Sequence, residues 1–141
     1  YLREADRAMA ASDPARVVRP AERVESDPTP GMVRERAIDV EGIWAGLVRT
    51  APGMTSGWHH HGDYDTSIYV TRGTLRLESG PGGADIVRAA AGDFVHVPKG
   101  AIHREGNDGD EESHLIVVRA GLGPTTINVE GPAPHPRDAG H

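Results

Sequence analysis

What constrains this chain most is its punctuation. From Gly31 onward every apolar run is cut short by turn formers: Glu41-Gly42, Ala51-Pro52-Gly53, Gly62-Asp63, Arg72-Gly73, the run from Ser79 to Gly83, Ala91-Gly92 and Pro98-Lys99-Gly100. Gly supplies backbone conformations that other residues avoid, and Pro removes an amide donor, so long helices do not run through such breaks. The segments between the breaks are short and either alternate or run apolar, which is how strands read. Eighteen Gly and eleven Pro in 141 residues point the same way. The expectation is an all-β fold of roughly eight to ten short strands, a sandwich or barrel of which the double-sheet jelly roll is one solution.

The strands are expected at residues 32–40, 43–50, 56–61, 66–71, 74–78, 85–89, 93–97, 114–119 and 125–129. In 74–78 the alternation sets Leu75 and Leu77 inward with Arg76 and Glu78 outward. Residues 1–11 are Ala-rich, with Leu2, Ala5 and Met9 at helical spacing, so a short N-terminal helix is expected. Residues 15–30 read as extended chain broken by Pro20, Pro28 and Pro30, where Val17-Val18 and Val24 could add an edge strand. The chain thus divides into an arm (1–30), a barrel (31–130) and a loose tail (131–141) that holds His135 and His141. No repeat and no second domain is visible.

Charge and composition exclude several functions. The net charge is -6 with both signs interspersed, and without a basic stripe nucleic acid is not an expected partner. No apolar run approaches the ~20 residues of a membrane span, so no membrane contact is expected. No signal peptide is visible, although a chain beginning with Tyr1 could have been trimmed. The absence of Cys removes disulfides, thiolate metal sites and a cysteine nucleophile, and it suits the cytoplasm. Leu2, Met9, Val17 and Val18 need cover that the core does not offer, so a homodimer built partly through the arm is expected.

One stretch carries chemistry. His59, His60 and His61 are consecutive, and side chains on a strand alternate faces, so His59 and His61 point together while His60 points away. Two such imidazoles can grip a metal ion from one side. A third ligand must come from elsewhere, and His103 is the best candidate. Taken alone, three consecutive histidines would more readily be a surface cluster.

The stretch Gly53-x5-His59-x-His61, continuing to Gly73, resembles the first motif of the cupin superfamily, G-x5-H-x-H-x3,4-E-x6-G. Gly92-x5-Pro98-x-Gly100-x2-His103-x3-Asn107 is similar to the second, G-x5-P-x-G-x2-H-x3-N, at every fixed position. The resemblance implies a double-stranded β-helix (jelly-roll) barrel, one divalent transition metal inside it (Fe, Mn, Ni, Zn or Cu), and frequently a homodimer. It departs at one place: the family's glutamate falls on Thr66, a poor ligand by comparison. The expected site is therefore His59, His61 and His103 with open positions, and Thr66 as a hydroxyl that orients a bound water. Asp65 could join the ion only if it lies in a turn rather than in the strand. His96 is either an outward, solvated side chain or a group supporting the ion's ligands. Trp44 is read as core before substrate contact, Tyr64 as a turn residue before a contact to metal or substrate, and Phe94 as core or barrel mouth. His114 reads as a satisfied structural histidine.

Three histidines with open positions suit a non-haem Fe(II)-type dioxygenase acting on a small oxygen-rich molecule. A metal-dependent isomerase or lyase fits the same residues, and a non-enzymatic small-molecule-binding barrel is the reading from another class.

Overall fold

The computed structural model describes residues 13–124 and 126–132. The helix expected over 1–11 and the tail residues 133–141 lie outside the described residues, as does Thr125. Among those described, the strands in chain order are β1 (Val24–Thr29), β2 (Met32–Val40), β3 (Ile43–Thr50), β4 (His59–His60), β5 (Asp65–Arg72) and β6 (Thr74–Ser79). After these come β7 (Asp85–Ala90), β8 (Phe94–Val97), β9 (Arg104–Gly106), β10 (Ser113–Ala120) and β11 (Ile127–Asn128). A six-stranded sheet in the order β1-β2-β3-β10-β5-β8 faces a three-stranded sheet β7-β6-β9, and β11 pairs with β4. The pairings are antiparallel throughout. This is the jelly-roll architecture, an all-β double-stranded β-helix.

Alternation builds the core. Val48 of β3, Ile68 and Val70 of β5, Leu115 and Val117 of β10 and Val97 of β8 turn inward from the large sheet, and Leu75 and Leu77 of β6 meet them from the small one. Burying such side chains is worth about 1.5–3 kcal/mol each relative to exposure. One inward row is polar at its centre: Trp44, Arg119, Thr66 and Val97 lie opposite one another across β3, β10, β5 and β8. That row leads toward the histidines.

Two expectations need correcting. Phe94 is 73% exposed; it sits on the outer face, its ring 4.7 Å from that of Tyr69, because Val95 and Val97 take the inward phase of β8. Glu78 was placed outward, yet it is buried. Its carboxylate is ion-paired to Arg76 and to Arg104 of β9, and β9 lies directly opposite it. The hydrogen bond from Arg104 holds the Glu78 carboxyl below the usual range against the cost of burial, with Arg76 adding to it. Arg104 also lies over Trp58, 4.5 Å from the ring centroid.

Asn107, the last residue of the second motif, is a fastener. Its buried amide nitrogen donates to the carbonyls of Thr50 (3.0 Å) and Glu111 (2.7 Å), and its oxygen accepts from the Gly109 amide at 3.0 Å. Asn107→Ala removes the bonds to the Thr50 and Glu111 carbonyls and frees the loop after β9. The expected loss is about 2–4 kcal/mol of folding stability, by the cost of lost and orphaned hydrogen bonds, read from urea denaturation.

Candidate metal centre

Three imidazoles converge inside the barrel. His59, His61 and His103 are all buried, and one donor atom from each lies within 4.8 Å of the others. Their ring centroids are 4.3 to 5.1 Å apart. The backbone explains the meeting. His59 and His103 form a reciprocal antiparallel pair, each amide donating to the other's carbonyl at 2.9 Å. Residues opposite one another in such a pair present side chains on the same face. His61 lies two residues beyond His59 and returns to that face.

The protons on two rings are fixed by what they touch. His59 Nδ1 is 2.9 Å from the Gly57 carbonyl, and His103 Nδ1 is 2.8 Å from that of Ala101. A carbonyl only accepts, so each Nδ1 carries a hydrogen, and in the neutral form the lone pair of each ring lies on Nε2. His103 Nε2 is buried without a hydrogen-bond partner. Burial pushes the His103 imidazole below its ordinary range, with Glu105 opposing and His59 reinforcing the shift. A neutral imidazole with an orphaned, inward lone pair fits a divalent ion that such a nitrogen would ligate.

The structure adds a carboxylate that sequence reasoning did not assign. Glu105 is buried, with Oε1 3.9 Å from His59 Nε2 and Oε2 3.8 Å from His103 Nε2. Oε1 is also 3.9 Å from Arg34 Nη2. Burial raises its pKa, but His59, His103 and Arg34 outweigh that and lower it to about 2. Glu105 thus stands beside two of the three imidazoles, outside the group of donor atoms that converge. The signal was present as His103-x-Glu105, the same two-residue step that links His59 to His61.

A cavity of about 220 Å³ reaches the cluster at His59. Arg34 and Arg119 line it, with Ser56, Thr126 and Asn128 among the polar groups at its wall.

A profile of the Cupin domain family matches residues 46–119, just over half of the chain. The chain is a cupin. Among solved structures it resembles KdgF from Halomonas sp., with 21% identity, a TM-score of 0.64, and 75% of this chain and 94% of that one covered. It also resembles a conserved Klebsiella pneumoniae protein with a double-stranded β-helix domain, at 20% identity and TM-score 0.64, with 74% and 85% covered. A third likeness is the Lactobacillus farciminis oxalate decarboxylase in its formate complex, at 18% identity and TM-score 0.65 over 77% of this chain and 34% of that one. At these identities the likeness concerns the fold. No curated protein matches the chain.

The remaining residues of this cupin divide cleanly. Asp65 begins β5 and faces outward, where Oδ1 is 2.9 Å from His96 Nε2 and Lys99 lies 4.0 Å from Oδ2. The His96 hydrogen bond lowers the Asp65 pKa against the opposing effect of burial, with the charges on Lys99 and His96 adding to it. His96 therefore does not support the ion: its side chain is 66% exposed and bound to Asp65, away from the cluster. Thr66 takes the inward phase and is 1% exposed, and its hydroxyl is buried without a hydrogen-bond partner. Tyr64 is a structural residue, donating its hydroxyl to the Gly123 carbonyl at 3.0 Å. Trp44 is core, and its ring lies 4.3 Å from the Arg119 guanidinium. His60 Nδ1 accepts from the Gly62 amide at 3.0 Å, so it serves the turn. His114 pairs with Glu112 at 2.7 Å.

Proposed function

We propose that this cupin is a metal-dependent enzyme of the non-haem Fe(II)-dioxygenase type, acting on a small oxygen-rich molecule. The observation behind this reading is the three-histidine cluster with a cavity at one of its members. Three imidazoles converge, and one of them, His59, lines a cavity of about 220 Å³, which would give a small molecule a route toward the ion. When bound, a divalent iron would supply the means of joining O₂ to an electron-rich substrate, with both oxygen atoms entering the product and the substrate giving the electrons. The chain's own residues have separate tasks. His59, His61 and His103 would hold the ion, with Glu105 beside them as the carboxylate. Gly57 and Ala101 keep two of the imidazoles in the correct tautomer. The buried Thr66 hydroxyl would orient a bound water.

A second reading, a metal-dependent isomerase or lyase, draws on Glu105, an ionised carboxylate that faces His59 and His103 and could take up a proton beside the ion. The two readings separate on oxygen. The protein is purified without added metal, analysed for its elements, reconstituted anaerobically with Fe(II) and screened with diketones, catechols and thiols. Stoichiometric oxygen consumption with one of them supports the dioxygenase. Turnover without oxygen consumption supports the isomerase or lyase. Failure of the Fe(II) form to bind nitric oxide would end both, since the ion would then have no open position.

A further inference from the structure

We infer that the outer face of the six-stranded sheet is an interface between two copies of this chain, packed sheet against sheet across a two-fold axis. This face looks away from the histidine cluster, so the interface stands apart from the chemistry proposed above.

An antiparallel sheet with one solvated face normally sets apolar residues inward and polar ones outward, and a strand that is apolar on both faces is one covered on both. The two central strands, β3 and β10, break that alternation. Residues 43–48 and 115–118 are apolar at every position. Val48, Leu115 and Val117 turn into the core, which leaves Leu47, Ile116 and Val118 on the outside.

Register joins these positions into a stripe. Leu47, Ile116, Tyr69 and Phe94 lie opposite one another across β3, β10, β5 and β8. In the next row Ile38 of β2 and Ala45 stand beside Val118, and beyond it Val40 meets Ile43. Ile116 and Val118 remain 40% and 38% exposed at the middle of the sheet. Charged side chains keep to the border and are paired there: Arg49 with Glu35, His96 with Asp65 and His114 with Glu112. A surface of this kind calls for a flat, apolar partner with a polar rim of both signs. The same face of a second copy is such a partner, because an interface about a two-fold axis sets one patch against itself.

The size fits as well. Five strands about 4.8 Å apart and five residues of about 3.4 Å rise give the stripe a flat footprint of roughly 400 Å². A stable pair covers about 800 Å² of accessible surface per partner, with an apolar centre inside a polar rim. The stripe has the dimensions of such a centre, and its ion-paired border forms the rim. The arm enters at that border. Val24 pairs with Arg36, Arg23 reaches Glu35 on the outer face at 3.6 Å, and Val17 ahead of them is 65% exposed. A segment leaving the sheet there is placed to lie against the second copy.

The test is the mass of the full chain in solution, read by sedimentation equilibrium at micromolar concentration. Wild type should be a dimer. Ile116→Glu and Val118→Glu should each weaken it by about 30-fold or more, the size of a central hot-spot loss. Both positions face outward, so circular dichroism should show a folded monomer. Ile116→Ser and Val118→Thr cover the case in which a Glu variant does not fold, and should weaken the dimer less. Ile86→Glu, on an exposed position of β7, should leave it intact. The chain has no cysteine, so Ile116→Cys carries a single thiol per protomer. A bifunctional maleimide reaching about 10 Å, the spacing of packed sheets, should join two Ile116→Cys chains and should not join Ile86→Cys chains. A monomeric wild type would overturn the inference, whether the Ile116→Cys thiol is then freely labelled or is shielded by the chain's own terminal residues. A dimer that survives both glutamate variants would overturn the assignment of this face, and open-ended association would overturn the two-fold.

Discussion

His103→Ala is expected to leave the chain without a retained divalent ion. Its Nε2 is the orphaned donor at the centre of the cluster, and its Nδ1 is already fixed by Ala101. Loss of a mere supporting group costs a metal site about 10–100-fold in affinity, so loss of a ligand should exceed that. His59→Ala and His61→Ala should behave alike. His60→Ala should retain the ion and lose only the turn contact from Gly62, about 0.5–1.5 kcal/mol of stability. Elemental analysis after dialysis, followed by Co(II) titration, reads all four. Equal depletion by His60→Ala and His61→Ala would show that the inward phase of the histidine strand has been misassigned.

The second large effect is expected from Glu105→Gln, which keeps size and removes charge. Metal affinity should fall by at least about 10–100-fold, as for any carboxylate supporting or joining a ligand set. The metal-free protein should also respond to acid in a defined way. Burial keeps His103 below its ordinary range, so the unfolded chain takes up that proton first and stability falls as pH drops below the unfolded value of 6.5. Glu105 works in a lower window. Its ordinary value of 4.5 is lowered to about 2, so its contribution is complete above 4.5 and disappears as pH falls toward 2. Glu105→Gln abolishes that lower contribution, and it removes the charge that opposes the His103 shift, so stability should fall further below pH 6.5 than in wild type. Urea denaturation of both metal-free proteins at about pH 7 and about pH 5 checks the sign. A smaller stability loss in the variant at the lower pH would refute the assigned electrostatics.

The sequence was most legible where a single period decided the outcome. β2 and β3 fall on residues 32–40 and 43–50 as expected, because each is an apolar or alternating run between glycine turns. The clustered histidines were legible for a related reason: a period of two separates His60 from its neighbours, and the second motif supplies His103. What failed to show were contacts made by short polar segments. β9 is Arg104, Glu105 and Gly106; it has no apolar residue, so nothing in its pattern announced a strand. With it went the burial of Glu78, which looks outward by alternation but is covered by Arg104. The histidine segment gave the opposite error. Six residues of strand were expected, and only His59–His60 are regular, because the neighbouring backbone bonds to β9 and to Asn107 through isolated contacts rather than a continuous ladder. Arg34 and Arg119 were invisible as a pair, since their approach to one cavity depends on which strands become neighbours.

The reciprocal backbone pair of His59 and His103 sets an order of events. These residues are remote in sequence, and their amides meet only when the two halves of the barrel close, a long-range contact of the kind that forms late and slowly. A nascent chain that has emerged only as far as the first motif offers two imidazoles and no cage. An ion held by all three imidazoles would therefore be taken up by the finished barrel. The occupant is then chosen by the metal pool that the completed protein meets. Hard carboxylate and borderline imidazole donors discriminate weakly among first-row divalent ions beyond their general order of affinity. Supply at the moment of loading, more than the ligand set, would decide which chemistry a given population of molecules can perform.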